Sequence, residues 1–295
     1  MFDIIADDHD HCGEGPLWDA AQQRFYWNDM NASLVFEYDW RTGTKKTIQR
    51  DLMVAGMAFR RGGGFVFAGF TGLHVWRGPD DYTTLITEHA GETLFFNDIL
   101  ADPAGRILAG TFYWGADNRI EKPGKLYRID PDKSIRVLDE GFGVANGLGL
   151  SPDNRTLYFV DSTASRIYAY DYDPATGTPA HRRLFVQAAE SEGLPDGLTV
   201  DAEGFVWCAY CYTGEVVRYD PEGQAERRIQ LPVQQLASLN FGGPDLNELY
   251  ITTAADEWVS DFTSPGYTPN RDKLGGPLYR VKLDVQGKLE HYANL

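Results

Sequence analysis

The feature that most constrains the fold of this chain is a pattern of strands and turns that recurs along it. At 148–161 an apolar strand runs into a Pro/Asp/Asn turn and a second apolar strand, and at 166–171 a third strand ends in Asp. The same pattern returns at 198–220 and at 99–130. Weaker copies start near Leu17, Met57 and Leu239. Six copies of roughly 40–50 residues, each with three or four short strands, are typical of propeller blades. The sequence therefore predicts an all-β fold, a six-bladed β-propeller formed as a single domain by 1–295.

Two segments lie outside the repeated pattern. Residues 2–6 belong to no copy, and we expect them to pair with the last blade and close the ring. The stretch 256–276 is inserted between strands of the last copy and contains Trp258. Because loops of this length usually have a role, we expect this one to cover a site. No window shows the i, i+3, i+4, i+7 apolar series of an amphipathic helix.

Charge and cysteine content exclude several functional classes. The net charge of −16 disfavours nucleic acids and anionic membranes as partners, because both are negatively charged. No apolar run approaches the roughly 18 residues of a membrane helix, and the N-terminus lacks the basic and apolar regions of a signal peptide. Three cysteines, a low and odd number, predict a cytoplasmic setting without structural disulfides. We expect a small-molecule partner, and a monomer or a weak homo-oligomer.

A polar or small dipeptide stands just before the predicted first strand of each copy. The six dipeptides are Glu14-Gly15, Ala55-Gly56, Asn97-Asp98, Asn146-Gly147, Asp196-Gly197 and Ala237-Ser238. The first strand of every propeller blade lines the central axis, so residues at one phase of different blades lie at one height. We therefore expect the polar members to converge in a central channel, with the glycines letting the backbone pass close to it.

The converging side chains predict a metal site. Glu14 and Asp196 supply carboxylates, and Asn97 and Asn146 supply amide oxygens. Such an all-oxygen set suits Ca²⁺, Mg²⁺, Mn²⁺ or Fe²⁺, and a cation would also compensate two carboxylates that meet in a channel. Asn-Gly and Asp-Gly pairs are common turn signals as well. The shared phase of four polar positions favours a ligand site over four separate turns.

Several motifs of this chain resemble those of the senescence marker protein/gluconolactonase family, which includes regucalcin. The motifs are Glu14-Gly-Pro-Leu-Trp18, Phe96-Asn-Asp98, Asp102-Pro-Ala-Gly-Arg106, Ala109-Gly-Thr111, Asn146-Gly-Leu148, Pro195-Asp-Gly197 and Asp201-Ala-Glu-Gly204. The resemblance implies a lactonase for aldonolactones that uses one divalent cation (Ca, Mg, Mn, Fe(II) or Zn). It implies Glu14, Asn146 and Asp196 as the metal ligands and Asn97 as a residue that faces substrate or a metal-bound water.

One position departs from the family pattern. Regucalcin-like members carry an Arg before the Phe-Asn-Asp motif, where this chain has Phe95. Without this positively charged side chain to bind the substrate, a less polar lactone becomes a possible substrate. We expect Phe95, Tyr113, Trp114 and Trp258 to pack on the ring of the substrate, although aromatic residues of blades also pack between sheets.

The implied mechanism is a metal-assisted attack of water on the lactone carbonyl. The cation polarises the carbonyl oxygen, Asp196 is the candidate general base, and Asn97 orients the water or a sugar hydroxyl. Two alternatives stay open: a metal-dependent phosphotriesterase or arylesterase, and a calcium-binding propeller without enzymatic activity.

Two further clusters do not predict sites. Cys208 and Cys211 have the spacing of redox and zinc motifs, but they fall within an apolar strand, where positions three apart point to opposite faces. His9 and His11 could share a strand face, but no further ligand accompanies them, so we expect them at the surface.

Overall fold

The computed structural model describes residues 1–115, 119–259, 263–264 and 266–295. Within these ranges, six four-stranded sheets follow one another along the chain, and paired strands run antiparallel. The all-β, six-bladed propeller predicted from the repeats is confirmed. We number the sheets as blades 1 to 6 in chain order and call the first strand of each blade its inner strand.

The first half of the chain forms blades 1 to 3. The first strand, β1, spans Phe2–Ala6. Blade 1 contains β2 (Gly13–Asp19), β3 (Arg24–Asp29), β4 (Leu34–Asp39) and β5 (Thr44–Arg50). Blade 2 contains β6 (Gly56–Phe59), β7 (Phe65–Gly69), β8 (Gly72–Gly78) and β9 (Asp81–Ile86). A hairpin of β10 (Glu88–His89) and β11 (Glu92–Thr93) follows. Blade 3 contains β12 (Phe96–Ala101) and β13 (Ile107–Thr111), then a hairpin of β14 (Tyr113–Trp114) and β15 (Ile120–Lys122), and then β16 (Gly124–Ile129) and β17 (Ile135–Phe142).

The second half forms blades 4 to 6. Blade 4 contains β18 (Ala145–Leu150), β19 (Thr156–Asp161), β20 (Arg166–Asp173) and β21 (Thr178–Gln187). Blade 5 contains β22 (Leu194–Val200), β23 (Val206–Cys211), β24 (Glu215–Tyr219) and β25 (Ala225–Gln230). Blade 6 contains β26 (Leu236–Gly242), β27 (Glu248–Thr253) and β28 (Leu278–Lys282). Two short 3₁₀ helices, Glu190–Glu192 and Arg271–Lys273, are the helices of the described ranges, and neither is long and apolar enough to cross a membrane.

The ring is closed by the N-terminal strand. β1 pairs antiparallel with β28, with Phe2 opposite Val281 and Ile4 opposite Tyr279, and supplies the fourth strand of blade 6. The predicted pairing of residues 2–6 with the last blade is confirmed. Because the last blade takes strands from both ends of the chain, the closure ties blade 6 covalently to blade 1.

The hydrophobic core lies between blades rather than within them. Six buried clusters each combine residues of two neighbouring blades. Phe25 of blade 1 stacks on Tyr250 of blade 6 with ring centroids 4.0 Å apart, and Trp207 of blade 5 meets Phe241 of blade 6 edge-on at 5.7 Å. A twisted sheet with two apolar faces buries both only when it is stacked on both sides.

The six inner strands form a closed ring around the axis, each in contact with the next. Five of the six dipeptides lie inside these strands, so the prediction that placed them just before the strands is wrong. In those five strands the pairing register shifts at the dipeptide, as between Glu14 and Leu17 or between Ala145 and Leu148. Such bulges bend a strand and redirect side chains, here at one height in five blades.

The glycines of the dipeptides allow adjacent inner strands to approach. A Cβ on Gly147 of blade 4 would lie 2.4 Å from the Leu198 nitrogen and 2.7 Å from the Asp196 carbonyl oxygen of blade 5. A Cβ on Gly197 would lie 2.6 Å from the Cα of Ser238 in blade 6. The close contact is therefore between neighbouring blades, and it holds one dipeptide against the next around the ring.

Candidate active site on the propeller axis

A cavity of about 720 Å³ opens at one end of the ring of inner strands. Glu14, Asn97, Asn146 and Asp196 all line it, from blades 1, 3, 4 and 5. The structure thus brings together the four polar side chains that the repeat placed at one height. The other residues that line the cavity include Cys12, Asn31, Phe70, Phe112, Trp114, Val144, Ser162, Cys211, Tyr212, Asp256, Glu257 and Trp258.

Two carboxylates in this cavity are buried with unsatisfied oxygens. Glu14 is 7% exposed and Asp196 is 6% exposed. The Oε2 atom of Glu14 and the Oδ1 atom of Asp196 have no hydrogen-bond partner among the described residues. Buried polar atoms are nearly always hydrogen-bonded in folded proteins, so two unpaired oxygen atoms in one cavity require an explanation.

The electrostatics of both carboxylates indicate a missing positive charge. Burial raises the pKa of Glu14 well above its ordinary value, and the negative charges of Asp196 and Asp98 raise it further. Burial and the charge of Asp98 likewise raise the pKa of Asp196, although a hydrogen bond from Asn146 opposes the shift. The described residues that line the cavity include no Lys, Arg or His. A bound cation would compensate these charges.

The donor set fits a hard cation bound by oxygen atoms. Within the described ranges, no group of three or more His, Cys, Asp and Glu side chains is arranged to hold a metal ion. A cation on this axis would therefore depend on amide oxygens as well as on the two carboxylates, as Ca²⁺, Mg²⁺ and Mn²⁺ sites commonly do. Glu14, Asn146 and Asp196 are the residues that could hold it.

The two asparagines are joined by hydrogen bonds. Asn97 Nδ2 donates to the Ala145 carbonyl oxygen at 3.0 Å and to Asn146 Oδ1 at 3.2 Å. Asn146 Nδ2 donates to Ser162 Oγ at 3.1 Å. Ser162 directly follows the second strand of blade 4. The sequence analysis did not select it because no motif marks it, although Phe70 and Phe112 hold the same repeat position in blades 2 and 3.

The aromatic residues predicted at the site divide into two groups. Trp114 and Trp258 line the cavity, whereas Phe95 and Tyr113 are not among its lining residues. The Phe95 ring packs instead between Phe70, at 5.8 Å, and Tyr113, at 5.7 Å.

Phe70 and Phe112, which the sequence analysis did not select, occupy the cavity wall beside Trp114. Phe112 meets Phe70 edge-on at 5.2 Å and Trp114 edge-on at 5.9 Å. These three residues, which we call the aromatic wall, belong to blades 2 and 3. Phe70 and Phe112 were missed because they directly follow the second strands of blades 2 and 3. At such positions the direction of a side chain cannot be predicted from strand alternation.

The stretch 256–276 reaches the cavity at its beginning. Asp256 and Trp258 line the cavity, and Asp256 accepts hydrogen bonds from Asn31 Nδ2 at 2.8 Å and pairs with His11 Nδ1 at 2.8 Å. The ring of Tyr267, later in the stretch, lies 4.3 Å from that of Tyr212. Residues 260–262 and 265 lie outside the described residues, so the predicted cover over the site stays a prediction.

The histidines that were not predicted to form a site are exposed, and the cysteines that were not predicted to form one are buried. The His11 side chain is 59% exposed and that of His9 is 80% exposed, as predicted. Cys208 and Cys211 are buried free thiols, as is Cys12. Burial raises the pKa of each thiol, so they are neutral at pH 7 and poor metal ligands or nucleophiles.

Comparison with known proteins places the chain in a family. Residues 12–255 match the model of the SMP-30/Gluconolactonase/LRE-like region. The pentonolactonase of Haloferax volcanii is 33% identical over 286 residues, which cover 97% of this chain and 96% of that protein.

Two solved structures have the same fold over nearly their whole length. A luciferin-regenerating enzyme superposes with a TM-score of 0.89 at 26% identity, covering 100% of this chain and 99% of the other. A calcium-binding protein, regucalcin, from Agrobacterium tumefaciens superposes with a TM-score of 0.84 at 25% identity, covering 99% and 97%. The family match over most of the chain and the pentonolactonase relative agree with the motifs around the axial cavity: this chain belongs to the SMP-30/Gluconolactonase/LRE-like family.

Proposed function

We propose that this chain is a lactonase that opens the ring of a sugar lactone to the aldonic acid with the help of one divalent cation. The observation that carries the proposal is the pair of buried, unpartnered oxygens, Glu14 Oε2 and Asp196 Oδ1, in one axial cavity. The similarity to a pentonolactonase over 97% of the chain supports the reaction class. Glu14, Asn146 and Asp196 would hold the cation.

When bound, a divalent cation polarises a carbonyl oxygen and lowers the pKa of water. The chain supplies the remaining functions. Asp196 would accept the proton of the attacking water through Oδ1, which has no hydrogen-bond partner among the described residues. Asn97, which is fixed by the Ala145 carbonyl and Asn146, orients the water or a hydroxyl of the substrate. The aromatic wall and Trp258 exclude bulk water from the same cavity.

The charge of the cavity favours an uncharged substrate. Among the described residues that line it, the charged ones are Glu14, Asp196, Asp256 and Glu257, all acidic. An aldonolactone carries no charge, whereas its hydrolysis product is a carboxylate. The acidic lining therefore repels the product more than the substrate and promotes its release.

A second candidate substrate class is supported by the aromatic wall. Phe70, Phe112 and Trp114 present apolar surface where a polyol would find few hydrogen-bond partners. Aryl esters, lactones with apolar substituents and phosphotriesters could be hydrolysed by the same cation site, since carbonyl and phosphoryl oxygens are polarised alike.

The experiment is lactone hydrolysis followed by proton release at constant pH. Protein stripped with a chelator is assayed on gluconolactone, xylonolactone, arabinonolactone and galactonolactone, with Ca²⁺, Mg²⁺, Mn²⁺, Fe²⁺ or Zn²⁺ restored singly. Calcium is the first ion to test because the regucalcin of Agrobacterium tumefaciens is a calcium-binding protein.

Turnover that needs the ion and falls at least about 10²-fold in Asp196→Asn supports the proposal. Turnover of aryl esters or phosphotriesters, with none of sugar lactones, would contradict a sugar-lactone substrate and support the second substrate class. Binding of the ion with no turnover of any substrate would contradict an enzymatic function and favour the calcium-binding alternative. The free buried thiols are compatible with the proposed cytoplasmic location.

A further inference from the structure

A chain of hydrogen bonds runs along one side of the axial cavity and ends at Ser162. It begins at the Ala145 carbonyl oxygen, passes through the side chains of Asn97 and Asn146, and reaches Ser162 Oγ. Asn146 is 7% exposed and Ser162 is 5% exposed, and both line the cavity. The chain is therefore shielded from bulk water, where competing partners would weaken it.

The backbone carbonyl sets the direction of every bond in this chain. A carbonyl oxygen only accepts hydrogen bonds, so the end of Asn97 that faces Ala145 must be its NH₂ group. The same NH₂ group meets Asn146, whose nearer atom must then be the acceptor Oδ1. The NH₂ group of Asn146 is left to face Ser162, whose hydroxyl oxygen accepts from it, and the carboxylate of Asp196.

The orientation of Asn146 decides whether it can bind a cation. A carbonyl oxygen has two lone pairs, so Oδ1 can accept from Asn97 and still ligate an ion. An amide turned by 180° would present its NH₂ group, which repels cations. The orientation of Asn146 is held by these hydrogen bonds, whereas Glu14 and Asp196 need none, because the two oxygens of a carboxylate are equivalent.

We infer that Ser162 is a positioning residue: Asn97 fixes the orientation of the Asn146 amide from one side, and the hydroxyl oxygen of Ser162 holds its NH₂ group on the other, which keeps the carbonyl oxygen of Asn146 directed at the cation. The inference rests on the proposed function, because it assumes a cation bound by Asn146. It gives Ser162 no role as a nucleophile, which agrees with the lack of a histidine among the described lining residues of the cavity.

The test measures ion affinity rather than activity. Isothermal titration calorimetry with Ca²⁺, and separately with Mn²⁺, compares the wild type with Ser162→Ala and Ser162→Thr. Loss of an outer partner of a metal ligand typically weakens metal binding 10–100-fold, so we expect about this loss in Ser162→Ala. Ser162→Thr keeps the hydroxyl and is expected to stay within about threefold of the wild type.

A matched control and a second background separate positioning from general damage. Ser238 is also a buried serine of an inner strand, at 5% exposure, but it lines a different cavity, so Ser238→Ala should leave the affinity unchanged. In an Asn146→Asp background both ends of the side chain are oxygens and orientation no longer matters. There Ser162→Ala should weaken binding less than about threefold, which a double-mutant cycle reports directly.

The outcomes distinguish this inference from the proposed function. Equal ion affinity in wild type and Ser162→Ala, with lactone turnover intact, would overturn the role of Ser162 alone. The same loss from Ser162→Ala in both the Asn146 and the Asn146→Asp backgrounds would also overturn it, because the effect would not act through the amide. Absence of any ion binding by the folded wild type would overturn the inference and the metal dependence together.

Discussion

Glu14 and Asp196 face one cavity from blades 1 and 5, and the charge of Asp196 adds to burial in raising the pKa of Glu14. The two carboxylates are brought together by the closed ring of inner strands, not by any local contact along the chain. Such an arrangement opposes folding unless a cation is present, because two like charges are buried without a partner. The site is thus built at the expense of the stability of the ion-free protein.

Glu14→Gln is expected to stabilise the ion-free protein and to abolish its response to ions. Removing one of two buried like charges should raise the free energy of unfolding in chelator by about 1–2 kcal/mol, within the usual range for a single substitution. The rise in melting temperature that we expect Ca²⁺ to cause in the wild type should be absent in this variant. Thermal unfolding with chelator and with Ca²⁺ measures both effects. Glu222→Gln, at an exposed position, is the control, and a less stable Glu14→Gln protein in chelator would contradict the prediction.

Gly147→Ala is expected to disturb the ring of inner strands. The new Cβ would lie 2.4 Å from the Leu198 nitrogen and 2.7 Å from the Asp196 carbonyl oxygen, and backbone cannot yield as a side chain can. We expect a loss of about 1–3 kcal/mol in urea unfolding and weaker ion binding, because Asp196 moves with its backbone. Gly78→Ala places its Cβ in open space and should change neither quantity. Wild-type stability in Gly147→Ala would show that neighbouring blades can separate here freely.

The contact between His11 and Asp256 is expected to make the start of the 256–276 stretch sensitive to pH. The hydrogen bond and the charge of Asp256 raise the pKa of His11 above its ordinary value of 6.5. A raised pKa in the folded state means that the stabilisation is complete below pH 6.5 and is lost as the pH rises through the raised value. Amide exchange at residues 254–259, corrected for intrinsic rates, should become a few-fold faster across that window.

His11→Ala should remove this pH dependence and leave exchange fast throughout. His181→Ala is the control, because His181 makes a similar exposed contact with Asp171 in blade 4, away from the cavity. Unchanged pH dependence in His11→Ala would assign the effect to another group.

The aromatic wall is expected to set substrate preference, with Phe70 acting directly and Phe95 through it. Phe70→Leu should lower kcat/KM for a lactone with an apolar substituent, such as dihydrocoumarin, by about 5–10-fold, the loss of one aromatic contact. The effect on gluconolactone should be below about threefold. Phe95→Leu should have a smaller effect than Phe70→Leu on both substrates. A larger effect of Phe95→Leu would place the Phe95 ring against the substrate.

The number of blades, the closing strand and the four polar residues of the cavity could be predicted from the amino-acid pattern alone. These properties follow from periodicity: a repeated strand pattern implies stacked sheets, and a shared phase implies a shared height, whatever the details of packing. Residues 2–6 could be assigned to the last blade for the same reason, since a strand without a sheet of its own must complete one.

The side chains that complete the site become apparent in the folded structure. Phe70 rather than Phe95 faces the cavity, Ser162 holds Asn146, and Asp256 meets His11 and Asn31. Phe70 and Ser162 share one repeat position, directly after the second strand of a blade. The repeat does not tell which side chains there face the cavity, because this depends on the direction of a side chain just beyond a strand. The direction of a side chain at such positions is set by the packing of neighbouring blades, because the alternation of side chains along a strand ends where regular pairing ends.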